Sequence, residues 1–200
     1  MSNRTIDASG YNIRLRPVTL ADAGFIVSLR SMPHVLGTVG DSAPDIQAQE
    51  RWIEAYLQRT DDYYFIIESH DGIPLGTIGI YDMADGSAEW GRWITLPGIM
   101  AGLPSAMLIH DIAFDQLGLR ELRGCIVSDN ERVISFHRRF GAEQTGVETN
   151  ARFIGGKWID LIWIVMRAGN WPAARLKLSP LAETAAIAMK EAVSPDTQNS

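Results

Sequence analysis

The chain has 200 residues, 46% of them hydrophobic, and a net charge of −6 from 18 basic and 24 acidic side chains. This length suits one domain, alone or with a short appendage, and the composition supplies ample material for a core. The acidic balance argues against non-specific nucleic-acid binding, which normally needs a basic face, so no nucleic-acid partner is expected.

The sequence also bears on location. Its one cysteine, Cys125, cannot form an intrachain disulfide, which indicates a reducing compartment. The first residues carry no apolar run of the signal-peptide type, and no stretch approaches the roughly twenty apolar residues of a membrane span. We therefore predict a cytoplasmic protein without a membrane partner.

The first third of the chain is predicted to contain one strand and two helices. Residues 1–10 carry no regular pattern, and 11–18 alternate as a strand. A helix over 20–31 should bury Leu20, Phe25, Ile26 and Leu29. The long loop 32–45, with His34 and Asp41, has the length of a functional loop. The clearest helix covers 44–59, with Asp45 as its N-cap and Ile46, Ile53 and Leu57 on its apolar stripe.

Three strands follow, over 63–69, 73–83 and 87–96, the first two joined by the hairpin signal at 70–72. A helix is predicted over 104–117, with Pro104 in its first position and Gly118 after its end. A further strand covers 120–128.

The stretch from Ser128 to Gly141, "SDNERVISFHRRFG", is the next predicted helix, with either Ser128 or Asn130 as its cap. Two strands then form a hairpin around residues 155–156, and an alanine-rich helix covers 180–193 before a polar tail. The expected fold class is α/β (α+β), a mixed sheet with helices on both faces. We divide the chain into a domain over 11–170 and a helical appendage with a tail over 171–200.

Several common sites are not indicated. The four histidines are scattered without paired ligand spacing, so no metal site is predicted. The chain also lacks the glycine patterns of phosphate-binding loops, dinucleotide folds and hydrolase elbows. Cys125 lies mid-strand among apolar neighbours, which favours a buried, inert thiol.

The unit over 88–141, with "AEWGRWITL", "LIHDIAFDQLGLRELRGCIVSDNERVISFHRRFGA" and the later "GGKWIDLIWIVM", resembles the GNAT superfamily of acetyl-CoA-dependent N-acetyltransferases. The resemblance covers Arg14 to Arg167 and is strongest to the branch with ribosomal-protein, polyamine and amino-sugar acetyltransferases. It implies the GNAT fold, with a mostly antiparallel central sheet, and acetyl-CoA as co-substrate without a metal.

The resemblance also implies a cofactor site. In the family, a splayed central strand offers backbone groups to the pantetheine arm, and a glycine-rich turn before the next helix holds the diphosphate with its N–H groups. The positions that match, with a helix cap that touches the arm, are Trp93, Ile94, Thr95, Gly98, Met100, Ala101, Gly102, Leu103, Asn130 and Phe136.

The turn departs from the family pattern. Pro97 stands where the family has Arg or Gln, and Met100 stands at the first key glycine. A β-carbon at Met100 disfavours a positive φ and crowds a phosphate. Whether the turn still binds CoA is open at this point. Arg92, Arg120 or Arg123 could supply the missing charge, although surface positions in water are the simpler interpretation.

Two side chains are candidates for proton transfer. His137 occupies the position of the family's tyrosine, whose hydroxyl protonates the departing thiolate, and a histidine can do the same work near neutral pH. The alternative is that His137 fills the tyrosine's space. Glu89 matches an acidic residue of the central strand and could accept the amine's proton; the alternative is an exposed strand carboxylate.

The predicted activity is N-acetyl transfer to a small-molecule primary amine, such as an amino sugar or another metabolite. A polyamine or a protein N-terminus is the other acceptor class. The rival hypothesis is a non-catalytic GNAT-fold module that binds acyl-CoA or a protein. Trp93 and Trp158 are the tryptophans expected at the substrate entrance. A homodimer through the closing strands or the last helix is compatible with the sequence, which does not fix it.

Overall fold

The structure is a computed structural model that describes residues 6–36 and 45–193, with side chains up to Lys190. Its centre is an eight-stranded sheet in the order β1-β2-β3-β4-β5-β6-β8-β7. Every neighbouring pair is antiparallel except β5 and β6, which are parallel. The strands are β1 Ala8–Gly10, β2 Ile13–Pro17, β3 Tyr63–Ser69, β4 Pro74–Ala84, β5 Ser87–Thr95, β6 Glu121–Val127, β7 Glu143–Ile154 and β8 Lys157–Arg167.

Helices cover both faces of this sheet. Short 3₁₀ turns precede the first and last helices, and a π-helical turn at Ile112–Gln116 extends the third. The helices are α1 Ala23–Arg30, α2 Ile46–Tyr56, α3 Gly102–Asp111, α4 Glu131–Phe140 and α5 Trp171–Val193. The mixed, mostly antiparallel sheet with flanking helices confirms the predicted fold class.

The sheet separates two hydrophobic cores, as the alternation along β3 shows. Tyr64 and Ile66 pack with α1 and α2, whereas Phe65 and Ile67 pack with α3 on the other face. Successive side chains of a strand point to opposite faces, so one strand feeds both cores. We call these the α1/α2 face and the α3/α4/α5 face.

Local signals explain where two helices begin and end. Asp45 accepts a hydrogen bond from the N–H of Ala48 at 2.6 Å, which caps α2 as predicted. Asn130, rather than Ser128, caps α4 by accepting from the N–H of Val133 at 3.2 Å. Gly141 ends α4 in the left-handed conformation, with φ of 99°.

Several predicted boundaries were wrong. Residues 8–10 form an edge strand paired with β2. Pro104 is the third residue of α3, which begins at Gly102, and α5 begins at Trp171 rather than at 180. The tail after residue 193 lies outside the described residues.

Burial on the first two helices also differs from the prediction. Three apolar side chains expected in the core are exposed, namely Leu20, Ile46 and Leu57. The buried stripe of α2 instead runs through Gln49, Ile53 and Tyr56.

The C-terminal helix is part of the α3/α4/α5 core. Trp171, Leu178 and Met189 are buried there. The indole N–H of Trp171 donates to the carboxylate of Asp111 at 3.0 Å, which ties α5 to α3. The division at residue 171 stays a prediction, although this helix packs as closely as the others do.

Candidate active site

Strands β5 and β6 lie side by side only at their beginnings. Their register pairs Ser87 with Glu121 and Glu89 with Arg123, and no later residues of the two strands pair. Each strand keeps its other neighbour, β4 for β5 and β8 for β6. The two strands therefore diverge, and their facing backbone edges open into a V.

A β-bulge lies at the open end of β5. Gly79 pairs with Gly91, and Thr77 pairs with Ile94. β5 therefore advances three residues where β4 advances two, which means that β5 carries one extra residue. Arg92, at the bulge, has a φ of 51°, which is uncommon for a residue with a side chain. Its carbonyl accepts a hydrogen bond from the Thr77 hydroxyl at 2.7 Å.

The bulge changes the direction of the side chains that follow it. In a regular strand, Trp90 and Trp93 would point to opposite faces because they are three residues apart. Their rings instead lie 5.3 Å apart, both on the α3/α4/α5 face. Arg92 consequently projects from the α1/α2 face, so the bulge presents indoles on one side and a cation on the other.

The Arg92 guanidinium is held from several directions. It makes two hydrogen bonds to the carboxylate of Asp62, at 2.5 and 2.9 Å. The rings of Tyr81, Trp52 and Tyr64 surround it, with centroids 4.5, 5.1 and 5.3 Å from its central carbon. Charge pairing and cation–π contacts together fix this side chain.

A cleft of about 470 Å³ passes through the V. Its lining includes the free edges of both strands, the cap of α4 and side chains from α1 and α2. The lining residues are Arg30, Gln49, Trp52, Arg59, Tyr64, Tyr81, Trp90, Gly91, Arg92, Trp93, Ile94, Gly124, Cys125, Ile126, Val127, Asn130, Val133, His137, Arg152, Leu161 and Ile164.

His137 contributes to the α4 side of this cleft. Its ring makes edge contacts with Trp90 and Phe136, at centroid distances of 5.2 and 5.3 Å. Its Nδ1 atom is buried and has no hydrogen-bond partner among the described residues. Burial lowers the pKa of His137 to about 4, so the ring is neutral at pH 7.

His110 differs from His137 because its ring is satisfied. Its Nδ1 lies 2.7 Å from the carbonyl oxygen of Ala106, to which it must donate. Burial lowers the pKa of His110 to about 3. Its neighbour Asp111 faces α5, so the two adjacent residues form no catalytic pair.

Glu89 is half-buried and lies on the face opposite Trp90. Burial raises the pKa of its carboxyl group, and the charge of Asp82 raises it further. The Cys125 sulfur lies 3.8 Å from Oε1 of Glu89. Burial and this carboxylate raise the pKa of the Cys125 thiol, which keeps it protonated. Cys125 is partly exposed and lines the cleft, whereas the sequence predicted a buried thiol.

The turn between β5 and α3 takes its positive φ at Gly98, with a value of 78°. Met100 needs no such conformation and is 53% exposed, so its side chain does not plug the cleft. No side chain caps α3, which leaves the amides before Pro104 without that partner. The predicted steric conflict between Met100 and a phosphate bound at this turn is therefore absent from the structure.

The sequence-predicted site residues fall into three groups. Trp93, Ile94, Asn130 and His137 line the cleft. Phe136 packs behind Trp93, with rings 5.1 Å apart. The others do not line the cleft, namely Glu89, Thr95, Gly98, Met100, Ala101, Gly102 and Leu103.

Sequence reasoning missed the aromatic and cationic part of the cleft. Trp158, predicted for the entrance, does not line the cleft and is exposed on the β7–β8 hairpin against Phe153. Trp52 lines the cleft instead. Arg92 is paired and largely enclosed, not a surface arginine. The one sequence signal for the enclosure of Arg92 is its position between Trp90 and Trp93 in a predicted strand. The predicted loop residue Asp41 lies outside the described residues.

A family model described as "Acetyltransferase (GNAT) domain" matches residues 12–143. The chain belongs to the GNAT acetyltransferase family. This GNAT protein is accordingly an acyltransferase, and acetyl-CoA is the acyl donor that its family uses. No curated relative matches the sequence.

Solved structures share the architecture. Apo FdhC, titled a nucleotide-linked sugar GNAT, is 25% identical, with a TM-score of 0.73 over 87% of this chain and 97% of that one. A GCN5-related N-acetyltransferase from Brucella melitensis is 19% identical, with a TM-score of 0.76 over 91% and 87%. Spermidine N-acetyltransferase from Vibrio cholerae, in complex with CoA and spermine, is 16% identical, with a TM-score of 0.76 over 82% and 99%.

Two absences hold for the part of the chain that the structure describes. No helix within it is both long and apolar enough to cross a membrane. Within the same residues, no group of three histidine, cysteine or acidic side chains could hold a metal ion.

Proposed function

We propose that this GNAT protein transfers the acetyl group of acetyl-CoA to the primary amine of a small molecule. The V between β5 and β6, with an open cleft beside Trp93, is the observation that carries the proposal. A channel between two free strand edges can accept an extended thioester arm and still admit an amine from the opposite side. The single unpaired cysteine favours a reducing compartment such as the cytoplasm.

The residues fit acetyl-CoA in three places. The free edge of β5 at Trp93, Ile94 and Thr95 offers backbone N–H and C=O groups to the amide-rich pantetheine arm. Asn130 stands across the V from that edge. The uncapped start of α3, with Ala101, Gly102 and Leu103, offers N–H groups to the diphosphate.

Gly98, Met100 and Phe136 would support this site. Gly98 gives the turn its left-handed residue, and an added β-carbon there would meet nothing within 4 Å, which leaves room for an approaching phosphate. Met100 contributes its backbone N–H while its side chain stays in solvent. Phe136 would fix the Trp93 ring from behind.

The backbone at the bulge is placed to stabilise developing charge. As the amine attacks the thioester, the carbonyl oxygen becomes negative, and a preorganised N–H donor lowers the energy of that state. We propose that the N–H of Trp93 or Ile94 fulfils this role. The rigid hold on Arg92, by Thr77 on its carbonyl and by Asp62 on its side chain, would keep that donor in position.

Glu89 would act as the general base, directly or through water. A carboxylate with a raised pKa is a better proton acceptor near neutral pH than one in water. Glu89 lies beside Cys125 at the edge of the cleft rather than in its lining, which favours a bridging water over direct contact.

His137 would stabilise and protonate the CoA thiolate as it leaves. Because its ring is neutral at pH 7, it is not a preformed acid, and it begins by donating a hydrogen bond to the sulfur. The attacking amine nitrogen loses a proton when the tetrahedral intermediate collapses to the amide. His137 would take up that proton, through water, and pass it to the departing thiolate, whose negative charge favours protonated imidazole.

Calorimetric titration with acetyl-CoA, followed by a thiol-release assay with a panel of amines, tests the proposal. Glu89→Gln and His137→Phe should bind acetyl-CoA as the wild type does but lose roughly 100-fold in kcat. Glu54→Gln, at an exposed position on α2 outside the cleft lining, is a matched control expected to retain wild-type activity. A wild-type protein that binds no acetyl-CoA at high micromolar concentration contradicts the proposal, and wild-type rates in both variants contradict the two assignments.

The acceptor is proposed to be an amino sugar or another small metabolite. The likeness to a nucleotide-linked sugar GNAT favours the sugar, and it is the highest identity among the structures compared above. A polyamine or a protein N-terminus is the alternative that the same amine panel distinguishes.

A further inference from the structure

The charged side chains that line the cleft are positive, whereas the chain as a whole is negative. The net charge of the protein is −6. Among the described residues that line the cleft, however, there are four arginines and no carboxylate. These arginines are Arg30, Arg59, Arg92 and Arg152.

Two nearby carboxylates offset part of this positive charge. Asp62 lies behind the lining and pairs with both Arg92 and Arg59, the latter at 3.1 Å. Glu89 lies near Arg152, whose charge lowers the pKa of that carboxyl group. Asp82 and Glu148, which act on Glu89 and Cys125, add further negative charge, so the excess of positive charge is confined to the lining itself.

Among the described residues, Arg30 and Arg152 form no side-chain hydrogen bond or ion pair, and Arg152 lies near Glu89. That leaves Arg30 as the lining arginine without a carboxylate partner in the described part of the chain. It is the last residue of α1 and is partly buried. No described residue forms a hydrogen bond or ion pair with it. A guanidinium that is partly removed from water without a partner suits a carboxylate or phosphate, which it can bind in a bidentate manner.

Arg30 also lies on the face of the sheet opposite the helix that follows the turn proposed for the CoA diphosphate. It belongs to the α1/α2 face, as does the side chain of Arg92, which packs on Trp52 from α2. The turn at 98–103 leads into α3, and His137 contacts Trp90, on the opposite face. The cationic half of the cleft is therefore separate from the end proposed for the CoA diphosphate.

We propose that the acceptor amine carries a phosphate or carboxylate group, which Arg30 binds with support from the positive field of Arg59, Arg92 and Arg152. This inference rests on the proposed function and narrows its substrate class. The same field lowers the pKa of an acceptor ammonium, because positive neighbours favour the neutral amine that must attack. It also repels polyamines, which carry several positive charges.

A matched set of amines tests the inference. Glucosamine, glucosamine 6-phosphate and muramic acid share one amino sugar and differ in having no anion, a phosphate or a carboxylate, and spermidine represents the polyamines. Each is titrated calorimetrically into CoA-saturated protein and assayed for thiol release. One of the anionic sugars should bind at least about tenfold more tightly than glucosamine, and spermidine should be the weakest. Equal or tighter binding of glucosamine or spermidine overturns the inference, as does failure of both anionic sugars to bind.

Variants of Arg30 assign the effect to this side chain. Arg30→Gln should raise KM for the preferred anionic acceptor by about tenfold or more, with little change in the KM for glucosamine. Arg30→Lys should restore part of the loss, because it keeps the charge without the bidentate geometry. Arg51→Gln is the matched control, since Arg51 is exposed on α2 and does not line the cleft.

Affinity for acetyl-CoA separates this inference from the proposed function. Wild-type protein that fails to bind acetyl-CoA defeats the proposed function itself. Wild-type protein that binds acetyl-CoA but prefers neutral or cationic amines defeats only the inference. An Arg30→Gln variant that weakens acetyl-CoA binding and leaves the acceptor KM unchanged would show that Arg30 belongs to the acetyl-CoA site. That result would also overturn the inference.

Discussion

Replacing Asp62 with asparagine should destabilise the protein strongly. The Asp62 side chain is 4% exposed and binds Arg92 through both oxygens. Arg92 is itself enclosed by three aromatic rings, so Asp62→Asn leaves a mostly buried cation without its counter-charge. Breaking such a pair costs about 3–5 kcal/mol, far more than the loss of a surface ion pair.

Equilibrium unfolding in urea measures this loss. With a denaturant slope of about 2–3 kcal/mol per molar for a chain of this size, the midpoint should fall by about 1–2.5 M. Asp61→Asn is the matched control, because Asp61 is the exposed neighbour in the chain and should change stability by less than about 0.5 kcal/mol. A loss below about 1 kcal/mol in Asp62→Asn would show that the pair behaves as a solvated one and would refute the reasoning.

A double variant separates stability from function at the same site. Asp62→Leu with Arg92→Met replaces the ion pair by apolar side chains and should recover most of the lost stability, since the enclosed cation is removed and Arg59, the other partner of Asp62, is exposed to water. Affinity for acetyl-CoA should then stay near that of the wild type, whereas the KM for an anionic acceptor should rise. A double variant as unstable as Asp62→Asn would mean that packing at the bulge, not charge, limits stability.

Further expectations concern one residue each. The pKa of His137, about 6.5 when unfolded and about 4 when folded, makes the unfolded chain bind more protons between those values. The free energy of unfolding should therefore decrease as the pH is lowered through that window, by about 2 kcal/mol between pH 7 and pH 5. His137→Phe should remove this contribution to the pH dependence of stability measured in urea. Gly98→Ala should cost about 1 kcal/mol of stability and weaken acetyl-CoA binding by calorimetry, while Met100→Ala should not. Leu178→Ala should cost about 2–5 kcal/mol in urea, against less than 0.5 for exposed Leu176→Ala.

The regular elements were predictable because local patterns and tertiary packing agree there. In α4, the spacing of Phe136 and Phe140, the cap at Asn130 and the glycine at 141 all indicate the helix that the structure contains. Leu20 and Ile46 were assigned wrongly to the core because both stand in the first turn of a helix, where periodicity does not yet determine which side packs.

The cleft was predictable only in part, because its geometry depends on the bulge. Nothing in the sequence marks Arg92 as a residue with positive φ, since arginine rarely adopts that conformation. Once the bulge reverses the alternation of β5, Trp93 joins Trp90 and Arg92 changes face. The partners of Arg92 come from residues 11 to 40 positions away, and single-sequence patterns carry no signal for contacts at that distance.

The same bulge links the two halves of the cleft. Its backbone offers the N–H groups proposed to stabilise the thioester oxygen, and its arginine side chain belongs to the half proposed to bind the acceptor's anion. Because Asp62 fixes the side chain and Thr77 fixes the carbonyl, a shift of Arg92 toward an anion would also disturb the donor side. Arg92 is thus too constrained to follow a ligand, and the mobile contact with the acceptor must fall to an arginine without such ties. Among the described residues of the lining, Arg30 and Arg152 have no such ties, and of these two Arg30 lies away from Glu89, at the end of α1.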